Sequence, residues 1–353
     1  MPQHDISQRI AILRFIMIFG VVLLHTPLYV DIGSVGNDWF SLTKAFFQSA
    51  VFRTTTPVLA MISAYLLFNA RLDTQLAKLA RKKTRTLVVP FLVFNTLMAC
   101  VVYFWQSHMP LIISYQLYPF QTQEFLNAAI GLAQPPINYP LNFLRDLIVL
   151  TALAPLIGLV LRHAPYLGLV AISVIIFTDA DGLLILRQSM AIMFYIGGLA
   201  ATQKWNLRAF DRFAVPCLAA FCMACAYIVW QRVESTLLLR MVAPWLIWPA
   251  TVYLVGTRLG RWITSLSRYS FFIFLAHAPI LLLTWKIYRR AFGFVAYPLY
   301  WIAAPLVTVY ALILIYRFCM AFLPSEFSAV IGAKAPPGAE RLGAFGLARR
   351  LMS

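Results

Sequence analysis

Arg14 and His25 lie inside residues 9–30, RIAILRFIMIFGVVLLHTPLYV, an otherwise apolar run long enough to cross a bilayer. A spanning helix needs about 20 mostly apolar residues, and an ionisable side chain within one is costly enough to mark function by default. At about 100° and 1.5 Å per residue, His25 returns to within about 20° of Arg14's face, about 16 Å further along the axis. One face of one helix therefore presents a guanidinium, suited to an anion, and an imidazole with a reference pKa of about 6.5, suited to general-base chemistry. Spacing alone leaves open a purely structural, hydrogen-bonded histidine.

The elements that position this pair follow from composition. Of 353 residues, 61% are hydrophobic and 12% charged, with a mean hydropathy of +0.79, which implies an all-α integral membrane protein. Counting apolar runs gives about ten spans, near 9–30, 43–68, 86–107, 138–160, 165–178, 183–203, 213–231, 237–256, 269–285 and 296–317. The 20 prolines and 16 glycines are tolerable where neighbouring helices re-satisfy broken backbone bonds. Five cysteines sit in apolar segments without metal-ligand spacing, so neither a zinc site nor a disulfide framework is expected.

A net charge of +17 would suggest nucleic acid in a soluble protein; here it distributes as cytoplasmic loop charge, and no nucleic-acid partner is expected. With the N-terminus inside, Arg71 to Arg85, Arg162, Lys204 to Arg212, Arg258 to Arg268 and the C-terminus fall in the cytoplasm. Asp31, Asp38, the stretch 108–137, Asp179 and Asp181 fall outside, and Lys286, Arg289 and Arg290 break the pattern. Two regions are expected: a transmembrane domain over 1–322, in which the stretch 108–137 either holds an interfacial helix around 122–133 or caps a cavity, and a basic, disordered or surface-lying cytoplasmic tail over 323–353. No appended soluble domain is expected.

Further ionisable residues lie within the spans. Arg53 opens RTTTPVLAMISAYLLF, whose threonines and Pro57 read either as a site or as a hydroxyl-supported proline bend. Asn142, Arg145 and Asp146 share a helix face at i, i+3 and i+4, as ligands or as a structural ion pair. Arg187 and His277 complete the set, and for His277 a structural hydrogen bond competes with catalysis.

These residues also carry a resemblance. Arg14, ten intervening residues and His25 match the first-helix signature of the membrane acyltransferase family 3, integral enzymes that O-acylate bacterial surface sugars. TPVLAMISAYLLF resembles that family's stretch ending in Ser-Gly-aromatic-Leu-Leu, with Ala64 in place of glycine. RKKTRTLVVPFLVF resembles its Arg-x-x-Arg element before a proline-marked third helix, with Lys82 standing for the first arginine if spaced to Arg85. NFLRDLIVLTALAPL and LSRYSFFIFLAHAPILL resemble its fourth-span and late Ser-to-His segments, so the likeness covers about residues 7–320. SQRIAILRF and INYPLNFLRDLIVL are most similar to the exopolysaccharide-modifying branch, the O-succinyltransferases of succinoglycan type.

The resemblance implies a bacterial inner-membrane enzyme with both termini cytoplasmic. Its co-substrate would be a cytoplasmic acyl-CoA, succinyl-CoA or acetyl-CoA, and its acceptor a polysaccharide or lipid-linked oligosaccharide, with no bound cofactor and no metal. Arg14, Lys82, Lys83 and Arg85 would meet the phosphates of coenzyme A. His25 would deprotonate the acceptor hydroxyl or relay the acyl group covalently. A succinyl carboxylate would need a fixed cation inside the bundle, for which Arg53, Arg145 and Arg187 are candidates, with Asn142, Asp146 and His277 beside them. The alternatives are a transporter or flippase for a glycolipid or polysaccharide precursor, which repeated halves would favour though none is visible, and a non-enzymatic assembly scaffold.

Overall fold

A computed structural model describes residues 2–108, 115–180, 182 and 184–334, and among these there is no strand. The chain opens with α1 (Pro2–Leu24), about 34 Å long at the usual rise. Asp38 then caps α2 (Trp39–Ala45) by accepting from the Ser41 N–H at 3.0 Å, and hydrogen bonds from Ser41 hold this exposed carboxyl below the usual carboxylate range. A π-helical turn (Phe46–Ala50) and a 3-10 turn (Val51–Thr54) lead into α3 (Thr55–Asn69). In that turn the Thr54 and Thr55 hydroxyls donate to the carbonyls of Val51 and Phe52 at 2.7 and 2.9 Å, the local support expected ahead of Pro57.

Basic α4 (Leu76–Lys83) passes through a second π turn (Thr84–Val88) into α5 (Val89–His108). The short α6 (Thr122–Ile130) occupies the place expected for an interfacial helix. Then come α7 (Asn142–Ala152), α8 (Ala154–His163), α9 (Pro165–Phe177) and α10 (Gln188–Thr202). After α11 (Ala214–Trp230) and α12 (Leu237–Ile247), α13 (Arg258–Leu266) precedes two long helices, α14 (Ser270–Phe292) and α15 (Tyr297–Phe322).

The class is as expected, but the count of ten spans is not supported. Six helices among the described residues are long and apolar enough to cross a membrane, or seven if the pair Tyr139–Ala152 and Ala154–His163, bent by 58°, is one span. Hydropathy counting cannot separate a helix that faces lipid from one buried in protein. The 15 residues of α10 show why: Met190 to Tyr195 and Gly197 to Ala200 are all buried, so this helix is apolar because it is core. The likewise short α9 and the helical stretch Leu237–Tyr253 also fall below spanning length. Around this interior, large apolar side chains such as Val174, Met223, Tyr227, Leu306 and Phe318 are exposed, the arrangement of a surface meant for lipid.

The region expected as a disordered tail from 323 starts instead with α16 (Pro324–Val330), whose Ser328 is fully buried. Phe327 explains the order, since its ring packs on Phe272 and Tyr316 at 5.2 and 5.5 Å. Arg85 donates to the Ala333 carbonyl at 3.1 Å; residues 335–353, and the expectations for 109–114 and Asp181, lie outside the described residues.

Polar bonds gather the connections at two ends of the bundle. At the start of α1, Arg9 forks onto Asp211 through two bonds of 2.7 Å and Asp5 bridges to Arg208 at 2.6 Å; Arg162 pairs with Asp73. At the other end Arg232 reaches Asn37 at 2.7 Å and Tyr297 donates to the Pro27 carbonyl at 2.7 Å. Between the ends, α3 and α10 lie unusually close. A Cβ on Gly197 would sit 2.2 Å from the Met61 carbonyl oxygen, and backbone cannot yield as a flexible side chain can. Gly197→Leu is therefore expected to force the two helices apart; fluorescence-detected size exclusion in detergent should show loss of most of the monodisperse protein, where a surface change such as Leu156→Ala retains it.

Candidate active site

His25 follows α1 directly and keeps its hydrogen-bond ladder, its N–H reaching the Val21 carbonyl at 3.2 Å. Its ring nitrogens are told apart by their partners. The Nδ1 of His277 lies 2.8 Å from the Phe274 carbonyl and 3.2 Å from that of Ile273, and since carbonyls only accept, this nitrogen carries the hydrogen. In the neutral ring the His277 Nε2 is then a bare acceptor, and it faces His25 Nδ1 at 3.3 Å. His25 Nδ1 donates to it and to the Val21 carbonyl 2.9 Å away. The remaining nitrogen of His25, Nε2, keeps its lone pair, which is the form a general base requires.

His277 is fully buried, whereas His25 is half-buried and lines a chamber of about 790 Å³. Tyr139 closes on the His25 ring edge-on, with centroids 6.1 Å apart. Thr55, Thr56 and Asn142 add polar lining, and the Asn142 Oδ1 is buried with no hydrogen-bond partner. Three guanidiniums complete the wall: Arg53, Arg187 and Arg240. Arg53 stacks over Tyr29 at 4.9 Å, while Arg240 Nε is buried without a hydrogen-bond partner among the described residues. Among the described residues the lining contains no carboxylate, so the chamber offers cations suited to an anion beside an imidazole.

Asp146 sets part of this wall without joining it. Fully buried, it accepts the backbone N–H groups of Leu186 and Arg187 at 3.2 and 3.1 Å and the Arg145 guanidinium at 3.0 Å. Arg145 in turn donates to the carbonyls of Gly131 and Leu184 at 2.9 and 3.1 Å. This ion pair thus fixes the entry to α10, and with it the place of Arg187. Arg145 and Asp146 are not among the residues that line the chamber, because their bonding capacity is spent on backbone.

Of the residues singled out in sequence, the structure gathers His25, His277, Arg53, Asn142 and Arg187. Arg14 lies on the same helix but does not line the chamber; it is half-buried and, among the described residues, has no ion pair or hydrogen bond. Lys82 and Lys83 close α4 and Arg85 lies in the following π turn, none of them bonded to Arg14. Sequence reasoning missed Tyr139 and Arg240. Arg240 was legible by the same rule that found the others, as the one charge within LLLRMVAPWLI. Tyr139 precedes its helix in a 3-10 turn and carries no comparable signal.

An imidazole with a free ring nitrogen over a cationic chamber is an arrangement suited to group transfer. In comparison with known proteins, the acyltransferase 3 family model, described as an acyltransferase domain, matches residues 8–317, and the chain belongs to this family. It is an O-acyltransferase. The chain is similar to the succinoglycan biosynthesis protein ExoH of Rhizobium meliloti (strain 1021), with 29% identity over 365 residues covering 96% of this chain and 95% of that protein. No solved structure matches.

If His277 acts through His25, His277→Ala should lower kcat about tenfold to a hundredfold with little change in the KM of either substrate, and His277→Gln, whose carbonyl can accept in place of Nε2, should recover part of it. Equal loss in both variants, or a loss confined to KM, would leave His277 a packing residue.

Proposed function

We propose that this enzyme transfers a succinyl group from succinyl-CoA to a hydroxyl of an exopolysaccharide or of its lipid-linked precursor at the bacterial inner membrane. The observation that carries the proposal is the His25 to His277 pair opening on a chamber walled by Arg53, Arg187 and Arg240 with no carboxylate among its lining residues. Similarity to a succinoglycan biosynthesis protein supports the acceptor class.

In the reaction, His25 Nε2 takes the proton of the acceptor hydroxyl as its oxygen attacks the thioester carbonyl. The tetrahedral intermediate collapses with cleavage of the carbon–sulfur bond, and the departing thiolate recovers the proton from the imidazolium. A glycan ester and free coenzyme A result, with no net proton change at the enzyme. The arginines hold the distal carboxylate of the succinyl group, a contact an acetyl group could not use. The donor comes from the cytoplasmic face, at the α1 end carrying Asp5 and Arg9, where Lys82, Lys83 and Arg85 meet the coenzyme's phosphates and Arg14 lies on the way to His25. Both termini then face the cytoplasm.

Membranes supplied with labelled succinyl-CoA or acetyl-CoA and unacylated glycan separate the possibilities. Replacing Arg53, Arg187 or Arg240 singly by Ala removes a charge-assisted bond worth about 1.5–3 kcal/mol, so succinyl transfer should fall about tenfold to a hundredfold while acetyl transfer changes far less. Parallel losses with both donors would reject the carboxylate site. Mass spectrometry of the surface glycan, with and without the gene, should show the succinyl ester only with it; an acetyl ester would reassign the donor.

A further inference from the structure

Resting on the acyl-transfer proposal above, we infer that a second cavity, adjoining the His25 chamber at the end away from Asp5 and Arg9, is the subsite that holds a neutral, hydroxyl-rich sugar ring of the acceptor. This cavity has a volume of about 520 Å³, within the range of about 300–1,000 Å³ usual for small-molecule sites. Arg187 and Arg240 line both spaces, so the two guanidiniums form their common wall. The rest of the lining is hydrogen-bonding: Gln188 and Ser189 from the first turn of α10, Glu234 and Thr236 from the connection before α12.

Two atoms there are buried and unused. Thr236 is 7% exposed and its hydroxyl has no partner, and Arg240 Nε is in the same position. Buried polar groups are almost always satisfied, so a pair of orphans on one wall marks where a ligand's polar atoms belong. Charge says which ligand. Among the described residues the inner chamber has cations and no carboxylate in its lining, whereas the second cavity adds Glu234 and Asp179. Those carboxylates repel a polyphosphate and so disfavour coenzyme A. A pyranose fits both halves, its hydroxyls donating to Glu234 and accepting from Thr236 and Arg240. The shared wall places the bound glycan beside the chamber that holds His25.

The test uses the full-length enzyme in detergent and, as probe, the unacylated repeat-unit oligosaccharide cut from the surface glycan of a strain lacking the gene. Glu234 is exposed, so Glu234→Gln should not disturb folding, and Thr236→Val keeps the shape of its side chain. Each should weaken oligosaccharide binding about tenfold or more by equilibrium titration and raise the acceptor KM in step, while the KM for succinyl-CoA moves little. Unchanged affinity in both variants, or no binding by the wild type, overturns the inference. If the wild type binds, both variants lose binding, and yet no labelled acyl group is transferred, the acyl-transfer proposal fails while the cavity stands as a glycan site.

Discussion

Three guanidiniums gathered inside an apolar bundle are the constraint around which this protein is arranged. Arg53, Arg187 and Arg240 share one chamber whose described lining holds no carboxylate, and ionisable groups at such depth are expensive unless something pairs with them or water reaches them. The fold meets the cost by holding the carriers from behind. Asp146 anchors the backbone that presents Arg187, Tyr29 covers Arg53, and the threonine-supported turn before Pro57 fixes where Arg53 projects. On the proposed reading, an anionic substrate adds the facing charge when bound, which couples recognition to the chemistry next to it.

The imidazole pair follows a related logic. Two neutral rings in a row, each donating one way and accepting the other, are ordered by carbonyls at their ends rather than by a carboxylate. An acidic partner for His25 would attract the chamber's arginines and cancel the anion site. A histidine in the carboxylate's usual place orients the base and leaves the field positive.

Much of this was legible in the residues. The pairing of Arg14 with His25 pointed to α1, and the rule that charge within a span has a purpose found Arg53, Arg187 and His277, which bear on the chamber, while Arg14, Arg145 and Asp146 do not line it. Applied evenly it would also have found Arg240. Two things were hidden. A shared face could not say that Arg145 and Asp146 would turn to backbone carbonyls and amides of segments distant in sequence, since those partners, Gly131, Leu184 and Leu186, have no side-chain signal. Nor could hydropathy show that α10 is apolar because α3 and its neighbours surround it, which is why counting runs gave more spans than the helix lengths support.

The account stands or falls on His25 as the base. Membranes carrying His25→Ala at wild-type protein level, assayed for transfer of labelled succinyl from succinyl-CoA to the unacylated glycan, test it most directly. Loss of positioned proton transfer predicts a fall of at least about a hundredfold, with the variant still eluting as folded protein. Transfer within a few-fold of wild type would contradict it.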